Sequence, residues 1–513
     1  MANSIGCANP SLLFLLIIST QMAVGQGSTD VFLMDIAIEN GKTVLAYPSN
    51  ISNNEGYDNQ PSFYDDHTIL FSSNRNGQTD VAQYDILTGE KTWLTHTELG
   101  SEYSPMRIPK SQDFSAIRLD QTGLQRLYHY NRATGKSKAI REDAKVGYHV
   151  WHSSSILVQT VLVEDRMDLV ISNLMDKTDV LVHKNVGRSL HKIPNTKLIS
   201  YIAKQAGIWS LNSLDPISGA THTIGSLPIG TEDICWLPDG TFLVPSGNLV
   251  SRIRPGSMEN PEVISLSEHK EIGAISRMAI SPSGKQLALV SEDPPYKIVQ
   301  KQVDAYNAGD LDAFISCYAP NVKVSHYPNQ LWYEGQKRMR TVYAGLSPSH
   351  TMYQVEVVKR ITLGNKVLDY EKVTGQDKIL WQAAIYEVEN GKISTMTFIF
   401  EDTPVPQPEI IVQEQLDAYN ARDIDAFLNT YTDDVQLFNF PAELRRKGKA
   451  EMREGYGGYF QSTPDLHCQI KNRIVIGNKV IDEEYVTANG EHFRAVAIYE
   501  VEHGKINKVT FLR

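Results

Sequence analysis

The chain has 513 residues, 41% of them hydrophobic and 21% charged. At about 100–200 residues per domain this length predicts roughly three domains, and the composition excludes global disorder, collagen-like repeats and a disulfide-dense scaffold. Sixty acidic residues against 49 basic ones give a net charge of −11, which argues against nonspecific binding to nucleic acid.

The first 29 residues carry no charged side chain. Leu12 to Ile18 is an unbroken apolar run, and Ala23-Val24-Gly25 supplies small residues behind it. This pattern predicts a secretory signal peptide over residues 1–25, and hence an exported protein, periplasmic or secreted. A buried N-terminal strand or helix is the alternative, because no Lys or Arg precedes the run. The run is too short for a membrane span, which needs about 20 apolar residues, and no later segment qualifies. Removal of the signal takes Cys7 with it. Cys235, Cys317 and Cys468 then fall in three different domains, so no disulfide within a domain and no C-x-x-C metal spacing is expected.

Residues 26–293 consist of short β-rich runs separated by turn clusters. "DVAQYDILTGEKTWLT" (80–95) and "RLYHYNRATGKSKAIR" (126–141) share one strand–turn–strand phrase, and "IWSLNSLDPISGATHTIG" (208–225) is a looser third. "ICWLPDGTFLVPSGNLVSRI" (234–253) and "RMAISPSGKQLALVSED" (277–293) are variants of the hairpin that precedes it. A spacing of about 40–45 residues is the period of a four-stranded propeller blade. Five blades fall at about 57–98, 100–142, 146–185, 187–227 and 230–268. A first blade is split: Val31 to Tyr47 supplies its outer strands and Arg277 to Val290 its inner ones, which closes the ring and leaves no free edge. The phrases "SPSGKQLALVS", "LPDGTFLVPS" and "FSSNRNGQTDVAQYD" resemble blade repeats of TolB-like propellers. That resemblance implies a six-bladed ring whose channel mouth meets a protein or surface partner. The Ser, His and Asp residues of this region read as turn chemistry. No G-x-S-x-G elbow, phosphate loop, dinucleotide fingerprint, H-E-x-x-H or calcium loop is present, so neither a cofactor nor a metal site is expected.

Pro294-Pro295 marks a junction. Beyond it, residues 297–400 align with 410–513 at a constant offset of 113, and about 44 of 104 positions are identical. The copies read as domains at 294–402 and 409–513, joined by a stiff Pro-rich linker at 403–408. Each opens on an amphipathic helix with Val299, Val303 and Tyr306 at helical spacing. Gly309-Asp310 breaks it and caps a second helix. A strand around Val322 and Val324, a third helix near Gln336 to Gly345, and alternating strands turning at Gly364-Asn365 and Asn390-Gly391 complete the unit. Helices followed by an antiparallel sheet predict an α+β cone. "AYNAGDLDAF", Pro328 and "IYEVENGKI" resemble the SnoaL-like branch of the nuclear-transport-factor superfamily, which includes ketosteroid isomerases, polyketide cyclases and noncatalytic binding modules. The fold class is therefore a multidomain chain: an all-β propeller followed by two α+β cones.

The resemblance implies three catalytic positions for a steroid isomerase. Here they hold Gln302 and Gln415, Tyr327 and Phe440, and Ala384 and Ala497. An alanine donates no hydrogen bond and a phenylalanine takes no proton, so that mechanism should not operate. The candidate replacements are Asp369 and Glu371 in the first copy and Asp482 and Glu484 in the second, each pair on one face of a strand. Their alternative role is a solvated face or ion pairing with Arg360 and Arg473. His326, Tyr327, Trp332 and Tyr343, with Phe440, Tyr456, Tyr459 and His467, fall where the cavities are expected. They suit a small apolar ligand, and the alternative is a filled core. The resemblance also implies pairing of the two cones through their outer sheet faces. The sequence therefore reads as an exported binding or scaffolding protein. The rival reading is an isomerase, cyclase or hydrolase of small apolar substrates with a non-standard acid/base pair.

Overall fold

A computed structural model describes residues 28–512, except 206, 349–352, 377 and 402–403. The predicted signal segment lies outside the described residues. The N-terminal half forms six four-stranded antiparallel sheets arranged as blades. Blades two to six run consecutively from Asp58–Asp65 to Ser257–Ser265. Blade one is composite: Lys42–Asn50 and Thr29–Glu39 form its outer half, and Gln286–Glu292 and Ile275–Ile280 its inner half. Thr29–Glu39 pairs with Gln286–Glu292 over seven registered positions, Thr29 to Asp35 against Glu292 to Gln286. The ring is thus clasped by its two chain ends, and every unpaired inner edge faces the axis rather than solvent.

Between blades the core is apolar. Val31, Ile69, Phe71, Ala82, Ala288 and Val290 form one such layer. The layers are also stitched by a repeated polar contact. Trp151 Nε1 donates to Ser115 Oγ (2.9 Å), and Trp236 Nε1 donates to Ser200 Oγ (2.9 Å). In both cases an innermost-strand indole reaches the second strand of the preceding blade, which satisfies a buried N–H at no cost to packing. Ser115 also bonds His149 Nε2 at 2.8 Å, and burial pushes that imidazole down to about 3. This pair sits in strands, not in turns as the sequence suggested, and acts as a neutral clasp.

The first cone begins at helix α1 (Pro295–Ala308), where Pro sits in the first turn and needs no N–H partner. Lys297 ties α1 back to the propeller through Asp30 (3.0 Å) and Asp293 (2.7 Å). Gly309 ends the helix at φ +71°, and a Cβ there would lie 2.4 Å from the Ser347 backbone. Asp310 Oδ1 then accepts from Ala313 N–H to start α2 (Leu311–Ser316). A short α3 (Gln336–Val342) follows. The second cone repeats this with α4 (Pro408–Ala421), α5 (Ile424–Asn429) and a much longer α6 (Gly448–Ser462). Asp423 caps α5, while Arg422 at φ 56° replaces the glycine.

Each cone carries a six-stranded sheet. It is mixed rather than wholly antiparallel: Tyr318–His326 runs parallel to Lys392–Phe400, and Tyr431–Asn439 to Lys505–Leu512. The reason is topological. The helix and meander that follow the early strand bring the last strand back beside it in the same direction. The outer sheet faces pack on each other through the same five positions of both copies. Ile361, Leu368, Ala383, Ile385 and Ile399 meet Ile474, Ile481, Val496, Ile498 and Leu512. The cones are related as an internal pseudo-dimer with an isologous apolar seam.

Candidate functional site

In the first cone, α1 and α2 close the concave side of the sheet over a chamber of about 210 Å³. Tyr306, Phe314, Tyr343, Tyr386, Met396 and Phe398 make its wall, and Trp332 and Leu380 stand at its exposed rim. Alternation along Lys366–Gly375 sends Val367, Asp369, Glu371 and Val373 to one face. The two carboxylates on that face have separate fates. Asp369 is fully buried and takes a bidentate ion pair from Arg360, Nε and Nη2 each at 2.7 Å. Arg360 Nη1 continues to Gln300 Oε1 at 2.9 Å. Asp369 is thus committed to structure, burial raising its carboxyl and Arg360 opposing that shift.

Glu371 reaches the chamber itself. It is 2% exposed and is held by Gln382 Nε2 (2.7 Å) and Tyr386 Oη (2.9 Å), both donating. Burial pushes its carboxyl up to about 7; the Gln382 and Tyr386 hydrogen bonds pull the other way, and the Asp369 charge adds to the rise. Gln302, at the position where the isomerases carry tyrosine, also lines the chamber, and its Oε1 is buried without a hydrogen-bond partner. The site therefore combines aromatic walls, a carboxyl poised near neutral pH, and an amide with an open acceptor.

The second cone keeps the framework and sets one more ring into it. Asp482 is buried and pairs bidentately with Arg473, both contacts at 2.7 Å, and Tyr499 Oη donates to Glu484 at 2.7 Å. Ala495 stands where Gln382 stands in the first copy. Tyr419, Phe427 and Tyr456 repeat the aromatic triangle of Tyr306, Phe314 and Tyr343. A fourth ring, Phe460, then packs on all three at 5.4, 5.5 and 6.1 Å. It comes from the last turns of α6, which the short α3 lacks.

The remaining sequence-predicted site residues scatter. Tyr343 and Trp332 line the first chamber. His326 stacks near Trp332 (5.3 Å) and Phe400 (5.4 Å), behind the rim. Tyr327 and Phe440 do not reach the chambers: they pack into the seam between the cones, with a hydrogen bond of 2.7 Å between Tyr327 Oη and Thr510 Oγ1. Tyr456 and Tyr459 belong to the filled core of the second cone, and His467 is exposed on its edge strand. Gln302 and Gln382 were missed as site residues. Only the offset of 113, which contrasts Gln382 with Ala495, signals one of them.

Residues 299–396 and 412–509 each match the SnoaL-like domain family. Behind a six-bladed propeller, the chain thus carries two tandem SnoaL-like domains. Among solved structures it resembles an uncharacterized cystatin-fold protein from Novosphingobium aromaticivorans at 32% identity, covering 21% of this chain and 97% of that one, with TM-score 0.20. An NTF2-like protein of unknown function from Cytophaga hutchinsonii matches at 18% identity over 23% and 94% of the chains, with TM-score 0.18. A protein assigned as TolB from Agrobacterium tumefaciens matches at 12% identity over 53% and 100%, with TM-score 0.41. No curated protein matches the chain. Among the described residues no helix is long and apolar enough to cross a membrane, and no group of His, Cys, Asp or Glu is gathered to hold a metal.

Proposed function

We propose that the protein is an exported binding protein. Its first cone holds one small, flat, largely apolar molecule with a hydrogen-bonding group, and its propeller engages a protein or surface partner. The supporting observation is the asymmetry between the cones: the first keeps an aromatic chamber with Glu371 and Gln302 turned inward, and the second plugs the same space with Phe460. A cavity of about 150 Å³ already admits a benzene ring, so 210 Å³ suits one or two fused rings. The test is calorimetric titration with 2-naphthol. One equivalent is expected for the wild-type chain and none for Val373→Trp, whose indole fills the chamber. Unchanged binding in that variant would sink the assignment.

Glu371 itself favours a second reading. A carboxyl with a pKa of about 7 in a cavity can take a proton from a carbon acid and return it to a neighbouring atom. On that reading the first cone is an isomerase, cyclase or hydrolase of small apolar substrates, with Tyr386 and Gln382 orienting the base. Native mass spectrometry on protein purified from its source separates the two. A bound molecule unaltered by Glu371→Gln supports binding alone, and a processed product that disappears in this variant supports the enzyme.

A further inference from the structure

The six innermost strands of the propeller run in the same direction along the axis, so their first residues gather at one mouth of the channel. Blades two to four deliver Tyr57, Tyr103 and Tyr148 there. Blades five, six and one deliver Arg188, Asp233 and Arg277. One half of the mouth is therefore phenolic and the other half charged. Within the phenolic half Tyr57 and Tyr103 meet edge to face at 6.2 Å; between the halves Arg277 lies over the Tyr148 ring at 4.9 Å and donates to its hydroxyl at 3.1 Å. That bond spans opposite blades and so crosses the axis.

The charged half is unbalanced. Asp233 is buried and spends one oxygen on Met278 N–H at 2.8 Å. Among the described residues neither Arg188 nor Arg277 makes an ion pair with a carboxylate. Arg188 donates through Nη2 to the Ser276 carbonyl at 2.7 Å, while its Nε is buried without a partner, and so is the Ser276 hydroxyl beside it. Burial first, and the Arg277 charge second, push Arg188 below its ordinary value. The two half-buried guanidinium groups share the charge of one carboxylate, Asp233, and the buried open donor of Arg188 favours a second anion that joins them. Both face a chamber of about 1410 Å³ between the propeller mouth and the cones, whose far wall adds Lys471 and Arg494. Asp233 and Glu232 are the carboxylates whose charges act on Arg188, and Glu483 on the far wall is paired with Arg494.

We propose that this mouth binds the C-terminal carboxylate of an extended peptide, clasped between Arg188 and Arg277, with the adjoining peptide side chain against Tyr57 and Tyr148. A guanidinium fork matches a carboxylate bidentately. The chamber exceeds the roughly 300–1,000 Å³ of small-molecule pockets, so a chain end suits it better than a lone small acid. The inference rests on the reading of the propeller as the partner-binding unit and names the chemistry of that contact. It does not depend on the ligand proposed for the first cone.

The test uses the full chain and an alanine pentapeptide ending in phenylalanine, as the free acid and as its C-terminal amide, followed by calorimetry. The acid should bind at least about tenfold more tightly than the amide, as expected for loss of a charge-assisted hydrogen bond. Arg188→Gln and Arg277→Gln should each bring the acid down to the level of the amide, and Arg188→Lys should fall between. Equal binding of acid and amide overturns the carboxylate clasp while leaving a peptide-binding propeller in place; absence of binding by either overturns both. If acetate or inorganic phosphate binds as tightly as the peptide acid, the mouth is a small-anion site and the chain-end assignment falls. Should a glutamine variant fail to fold, the acid-against-amide comparison on the wild-type chain still decides.

Discussion

Two copies of one domain, 113 residues apart, differ most where a ligand would enter. The first cone stops its third helix at Val342 and leaves space over Tyr306, Phe314 and Tyr343. The second extends the equivalent helix to Ser462 and spends that length on placing Phe460 against the same three rings. Framework features are shared: the Asp–Arg pair, the capped second helix and the apolar seam. The difference teaches that a binding cavity in this fold is made by withholding core.

That comparison can be broken at its strongest point first. Phe460→Ala should destabilise the chain by about 3–5 kcal/mol, the cost of emptying a buried aromatic site, read by urea unfolding. It should also raise the 2-naphthol stoichiometry from one to two. A cost below 1 kcal/mol, or no second equivalent, would show that Phe460 is not what closes the second cone. Asp369→Ala and Asp482→Ala should each cost about 2–3 kcal/mol, because each leaves a half-buried guanidinium without its carboxylate. A large inequality between them would contradict a shared framework.

Glu371→Gln tests the feature peculiar to the first cone. Its carboxyl lies near 7 when folded, against an ordinary value of 4.5, so between those limits the folded protein holds a proton that the unfolded chain has released. Stability therefore falls as pH rises across that window, by at most about 3 kcal/mol. The glutamine variant should lose this slope and become the more stable chain above pH 7. Parallel unfolding curves at pH 5 and pH 8 measure it. The smallest effect is expected at the shared caps: Asp310→Ala and Asp423→Ala should each lower stability by about 1 kcal/mol.

Much of this was legible in the residues. Turn phrases at a blade period, and the pairing of Val31 to Tyr47 with Arg277 to Val290, located the ring and its clasp, because strand alternation and turn chemistry are local signals. The duplication located both cones for the same reason. The site was legible only in part. Asp369 and Glu371 share a strand face by simple alternation, yet only three-dimensional packing sends one to Arg360 and the other into a cavity. Tyr327 and Phe440 looked like chamber residues because they follow the family's first strand, and the seam between the cones claims them instead. Phe460 was invisible because its counterpart, Ser347, lies where the two helices have already diverged in length, so the repeat gives no warning there.

The composite first blade has a consequence in time. Thr29–Glu39 is made roughly 250 residues before its inner partner Gln286–Glu292. At about 5–20 residues per second of synthesis, its inner edge stays unpaired for roughly ten to fifty seconds while five complete blades accumulate behind it. During that interval the nascent chain is an open arc with an exposed strand at its head, and it becomes a closed ring only as the first cone begins to emerge.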